Sequence, residues 1–106
     1  MRFERGDLVL LAFPFTSEAA AKQRPALVLL DTGDEDLVVA RVTTQRRTSE
    51  YDVVVQNWSE AGLLGPSTVR VHKLATIEKR LVRKSLGRLQ EADWASVRTL
   101  LSRISR

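Results

Sequence analysis

Lys22-Gln23-Arg24-Pro25-Ala26-Leu27-Val28-Leu29-Leu30 begins polar and turns apolar at a proline. Proline has no N–H to give to a sheet, so Arg24-Pro25 belongs at the start of a strand whose body is 26–30. The turn cluster Asp31-Thr32-Gly33-Asp34 closes that strand. Upstream, Gly6-Asp7 opens a run at 8–13 that is apolar on both faces and stops at Pro14, the pattern of a buried strand. Residues 16–23 read as a polar loop between the two. Downstream, 37–44 is a third strand with Leu37, Val39, Arg41 and Thr43 on one side, followed by a polar, basic loop at 45–50 and a fourth strand at 51–55. Asn57-Trp58-Ser59-Glu60 has the capping-box pattern, with Gly62 soon after, and predicts a helix of one or two turns. Beyond Gly65-Pro66, a long strand over 67–76 is expected to bend near Lys73-Leu74. A short helical turn at 78–79 and a last strand at 81–89 follow. From Gln90 onward Trp94, Val97, Leu100, Leu101 and Ile104 recur at helical spacing, with Arg98 and Arg103 off the stripe. Several short strands closed by one helix predict a mainly β (α+β) domain over 1–106, an antiparallel sheet or small barrel capped by a C-terminal helix.

The chain has 106 residues, room for one core. It has no Cys and one His, which excludes disulfides, thiolate zinc sites and multi-histidine metal sites. No cofactor or metal is expected. No run has the length or flanks of a signal peptide or a membrane span, so no membrane partner is expected and the cytoplasm is the expected location. The net charge of +4 hides an asymmetry. Residues 1–69 hold seven Lys/Arg and ten Asp/Glu, and residues 70–106 hold ten Lys/Arg and three Asp/Glu. A basic C-terminal third attracts polyanions, or is a hydrated face with no partner.

In Ser67-Thr68-Val69-Arg70-Val71-His72-Lys73, strand alternation places Thr68, Arg70 and His72 on one face, with His72 about 7 Å beyond Arg70. An arginine fork matches phosphate oxygens and stays charged, and histidine titrates near neutral pH. Together they meet the demands of metal-free chemistry at a phosphodiester, where a positioned acid or base contributes 10²–10⁴-fold, roughly 3–5 kcal/mol of barrier. Arg24, at a strand mouth, is a second phosphate candidate, or the partner of a carboxylate such as Glu18. Thr43-Thr44-Gln45 closes a strand, where a hydroxyl can donate to a phosphoryl oxygen. Lys73 is an additional phosphate contact. Arg46 and Arg47 either steer a nucleic acid or decorate a loop. No glycine-rich phosphate loop and no nucleophile elbow is present.

Gly6-Asp7-Leu8-Val9-Leu10, Phe13-Pro14-Phe15-Thr16 and Arg24-Pro25-Ala26-Leu27-Val28-Leu29 resemble the opening of PemK/MazF-like toxins. The resemblance continues through Val42-Thr43-Thr44-Gln45, Trp58-Ser59-Glu60-Ala61-Gly62-Leu63, Ser67-Thr68-Val69-Arg70, Lys73-Leu74-Ala75-Thr76-Ile77 and Leu86-Gly87-Arg88-Leu89. It implies a small SH3-like antiparallel barrel with a C-terminal helix, usually a homodimer. It also implies a metal-independent endoribonuclease that cuts single-stranded RNA, often at short motifs, leaving 2′,3′-cyclic phosphate and 5′-hydroxyl ends. An acidic antitoxin protein that wraps the dimer is the implied partner. By this resemblance Arg24 acts on the phosphate, Thr43 or Thr44 is the active-site threonine, Arg70 is the arginine used as general acid in some members, and Glu18 is a loop acid. Lys22, Gln45, Arg46, Thr68 and Lys73 are the accompanying RNA-binding candidates. The sequence departs from the pattern at His72, where several members have Asp, so that His72 either abstracts the proton or positions RNA.

Two other classes compete. A gyrase-poisoning toxin of related fold, like CcdB, depends on a Trp-Gly-Ile ending, whereas this chain ends Ser102-Arg103-Ile104-Ser105-Arg106. A non-catalytic RNA-binding module would use the same cations as a grip without turnover.

Overall fold

The computed structural model describes residues 2–13 and 22–105. Six strands run in chain order: β1 (Asp7–Phe13), β2 (Lys22–Asp31), β3 (Asp36–Thr43), β4 (Asp52–Val54), β5 (Thr68–Glu78) and β6 (Val82–Arg88). A 3-10 turn, Lys79–Leu81, separates β5 from β6, and α1 (Glu91–Ile104) ends the chain. The strands form one antiparallel sheet in the order β4-β5-β3-β2-β1-β6. This is the mainly β fold with a C-terminal helix that the sequence predicts. Among the described residues β4 and β6 are the two ends of the hydrogen-bonded order, which is compatible with the expected small barrel. No described helix is long and apolar enough to cross a membrane.

Strands β1, β2 and β3 bury both faces because both of their alternating residue sets are apolar. One set, with Leu8, Leu27, Leu29, Ala40 and Val42, joins Val69 and Val71 of β5 and the helix residues Val97 and Leu100 in a first core. The other set, with Val9, Leu11, Ala26, Val28, Leu37 and Val39, joins Ile77 and Leu81 in a second. The Trp94 stripe is packing, as its spacing predicts: Val97 and Leu100 are buried, and Trp94 and Leu101 pack half-buried against the same cluster.

Two local readings are corrected. Gln23 and Lys22 belong to β2 and not to a loop, so Pro25 lies inside the strand, opposite Leu10. The short helix expected after Asn57 is instead a series of turns over 56–62. The backbone N–H groups of Gln56 and Asn57 donate to the buried carboxylate of Asp93 at 3.0 and 2.9 Å, so the expected reciprocal bond from Asn57 to Glu60 has no donor. Gly62, at φ 92°, then turns the chain away after a single i→i−4 bond, from Ala61 N–H to Asn57 C=O. Where β5 is expected to bend, its register with β3 shifts. Arg41 of β3 faces Arg70, whereas its neighbour Ala40 faces Leu74, so residues 71–73 have no opposite number on β3.

Three cations of the basic third fold the chain's charge asymmetry back on itself. Arg70 meets Asp52, Lys79 meets Asp31, and Arg88 meets Glu4 and Asp7. Part of the basic third is thereby neutralised by the acidic part instead of facing solvent as one field.

Candidate active site

Cross-strand partners in an antiparallel sheet project from the same face. Ala26 of β2, Arg41 of β3, Arg70 of β5 and Asp52 of β4 form one such row. Thr43, Thr68 and Val54 form the next row on the same face. Arg24 lies two residues before Ala26, and extending the β2–β3 register by two places brings it level with Thr43. Arg24 and Arg70 therefore share a face, their Cα atoms roughly 10–12 Å apart across two strand spacings. This face begins where the second core ends. Leu11, buried in that core, is the register partner of exposed Arg24.

Asp52 determines how Arg70 is held. Its side chain is 1% exposed, against 17% for Arg70, and its Oδ1 accepts from the Arg70 Nε at 3.0 Å. Oδ2 accepts from the Ser49 hydroxyl at 2.8 Å and the Ser49 N–H at 3.0 Å. Burial pushes the Asp52 carboxyl up, but the Ser49 hydroxyl, the Arg70 guanidinium and the Ser49 N–H outweigh it and hold it below its ordinary value. The partner that an arginine between two core valines requires is thus a carboxylate.

Thr43 is buried, and its Oγ1 accepts the Gln45 N–H at 3.1 Å, which fixes the hydroxyl at the end of β3. Thr44 is exposed and lines a different place, a cleft of about 350 Å³ with Leu10, Pro25, Leu63 and Leu86. Of the two candidate threonines, only Thr43 shares a register row with the strand arginine's face. Thr68 is buried at 5% exposure as the packing neighbour of Thr43. Gln45, Arg46 and Lys73 are exposed. Glu18 and the side chain of Lys22 lie outside the described residues.

His72 lies within the segment 71–73 that has no partner on β3, where buried Val69 and Val71 alternate with half-buried Arg70 and His72. Its ring rests on Tyr51, with centroids 5.2 Å apart and planes tilted 44°. Its Nδ1 is buried with no hydrogen-bond partner among the described residues.

Two residues of this face were missed by the sequence reading. Arg41 already alternated onto the side of Thr43, and that was its signal. Asp52 had only an indirect one, the need of Arg70 for a counter-charge. With three arginines and one carboxylate the face is net positive, and Arg41 directly opposite Arg70 is a like-charge pair that an anion would relieve.

Residues 4–105 match the family of PemK-like, MazF-like toxins of type II toxin-antitoxin systems. The chain belongs to that family. The toxin is also similar in fold to an endoribonuclease bound to its cognate antitoxin from a mycobacterial species, at 21% identity over 93% of this chain and 90% of that one, with a TM-score of 0.76. A MazE–MazF complex from Deinococcus radiodurans is similar at 24% identity over 96% and 94%, TM-score 0.76. The toxin MazF-mt6 of Mycobacterium tuberculosis is similar at 21% identity over 92% and 93%, TM-score 0.74. No curated protein sequence matches the toxin.

Proposed function

We propose that this toxin is a metal-independent endoribonuclease that cleaves single-stranded RNA, with sequence selectivity, by attack of a ribose 2′-hydroxyl on the adjacent phosphorus. The products are a 2′,3′-cyclic phosphate and a 5′-hydroxyl. The observation that carries the reading is the common face of Arg24, Arg41, Thr43 and Arg70. Charge grows on the phosphoryl oxygens as the 2′-oxygen adds, and guanidinium groups fixed on a sheet stabilise it without reorganising. Arg24 and Arg70 flank the scissile phosphate, and Arg70 also donates to the departing 5′-oxygen. The Thr43 hydroxyl, held by Gln45, donates to a phosphoryl oxygen. His72 either takes the 2′-hydroxyl proton or positions RNA, in which case that proton passes to water. The exposed Gln45, Arg46 and Lys73 extend the RNA path.

The family membership supports the remaining parts of the proposal. The chain is one domain over 1–106, works in the cytoplasm as a homodimer, and is silenced by an acidic antitoxin protein. The decisive experiment is incubation of the purified protein with unstructured RNA in excess chelator, followed by mapping of the ends. Cyclic-phosphate products support the reading. A second reading, a phosphate grip without turnover, is favoured by the packing of His72 on Tyr51, which holds the one histidine in a tilted ring contact. Binding without products in the same experiment would select it.

A further inference from the structure

Arg70 carries five N–H donors, and the Asp52 contact uses the one on Nε. An arginine held through Nε keeps its two terminal nitrogens as a planar pair, the edge that meets two phosphate oxygens at once. The carboxylate that holds it is itself immobile. It lies on β4 directly opposite Arg70 in register, its side chain is almost wholly buried, and its second oxygen is tied by two bonds to Ser49. The hydroxyl and N–H of a single residue thus fix the orientation of the acid that fixes the arginine.

We propose, on the basis of the ribonuclease reading above, that Asp52 is a positioning residue for the reaction: it aims the terminal nitrogens of Arg70 at the scissile phosphate and touches no substrate itself. A residue that acts through another has a specific signature. Removing it costs nothing further once the residue it serves has gone. It also acts on the transition state more than on the ground state, so kcat falls while KM is retained.

The test is a double-mutant cycle on RNA cleavage with Asp52→Asn, Arg70→Ala and the double variant, with thermal unfolding as a check that each is folded. Asp52→Asn is expected to lower kcat by about 10–100-fold with KM within about threefold, and the double variant is expected to match Arg70→Ala within about threefold. Guanidinium ion added to Arg70→Ala supplies the lost group. It is expected to restore rate about tenfold there and less than about twofold in the double variant, because Asp52 holds the ion where the side chain was. If Asp52→Asn does not fold, Asp52→Glu keeps the charge but shifts the oxygens by one methylene, with about tenfold loss of kcat expected. Losses that multiply in the double variant, equal rescue by guanidinium with and without Asp52, or an Asp52→Glu enzyme as fast as the parent would overturn the inference. An Arg70→Ala variant as fast as the parent, beside an inactive Arg24→Ala, would overturn it while leaving the ribonuclease reading intact. A parent protein that yields no cyclic-phosphate ends in chelator removes the reading first.

Discussion

Replacing Asp93 by alanine is a sharp test of how α1 is joined to the rest of the fold. Asp93 is 3% exposed, sits in the first turn of the helix, and accepts the backbone N–H groups of Gln56 at 3.0 Å and Asn57 at 2.9 Å. Each hydrogen bond to a charged group is worth about 1.5–3 kcal/mol, and an N–H left without an acceptor carries its own desolvation cost. Water can reach the exposed Gln56, so one of the two losses is softened. The carboxylate also favours the helix N-terminus by a few tenths to about 1 kcal/mol. The expected loss is therefore about 2–4 kcal/mol. At about 4–8 °C per kcal/mol for a domain of this size, the melting temperature should fall by roughly 10–25 °C. Urea unfolding followed by tryptophan fluorescence measures it directly, since Trp58 and Trp94 flank the junction. The midpoint should move to lower urea with the slope unchanged. Asp93→Asn, which keeps one acceptor oxygen, should lie between the two. A loss below about 1 kcal/mol would show that the buried carboxylate does not tie the turns to the helix, and the reasoning from desolvation would be wrong.

Three further outcomes follow from the same geometry. Arg24→Ala should reduce RNA cleavage by about 10²–10⁴-fold with little change in melting temperature, because Arg24 is exposed; a thermal scan beside a chelator-containing cleavage assay checks both. His72→Ala should keep cleavage within about tenfold of the parent while weakening the packing on Tyr51; complete loss of cleavage in a folded variant would instead make His72 the base. Acid sensitivity should trace to Asp31, whose carboxyl is held well below its ordinary value by Lys79 and by the N–H groups of Phe3 and Gly33. A carboxyl depressed in the folded state contributes stability above its unfolded value, and that contribution is lost as pH falls from about 4 toward the lower folded value. Melting temperatures between pH 7 and pH 2 should therefore fall less steeply in Asp31→Asn than in the parent.

The strands were legible because three of them are apolar on both faces, a pattern that survives any neighbour, and the helix because its stripe repeats from Trp94 to Ile104. What the sequence hid is long-range. Asp93 reads as an ordinary first-turn acid until its partners 36 and 37 positions away are known. The same contact misled the reading of Asn57-Trp58-Ser59-Glu60, since a local capping box cannot form when its donor is claimed from elsewhere. His72 was placed on the face of Arg70 by period-two counting, which could not show that residues 71–73 lack partners on β3 or that the ring meets Tyr51. Alternation did bring Arg24, Arg41, Thr43 and Arg70 to one side, because each belongs to a regular stretch of ladder. It could not show that Asp52 on the shortest strand completes the row.

Gly62 and Gly87 lie where the turns over 56–62 cross β6 with bare backbone against bare backbone. A methyl group at Gly62 would overlap the Leu86 carbonyl, and one at Gly87 would overlap the Ala61 carbonyl. Each obstacle belongs to the main chain, so shrinking a side chain nearby opens no room. Neither position can drift during divergence by borrowing space from the other, because both are already as small as residues come. The crossing is a pair of independent vetoes 25 positions apart, and homologues that keep this thread of chain across β6 should be recognisable by glycine at both.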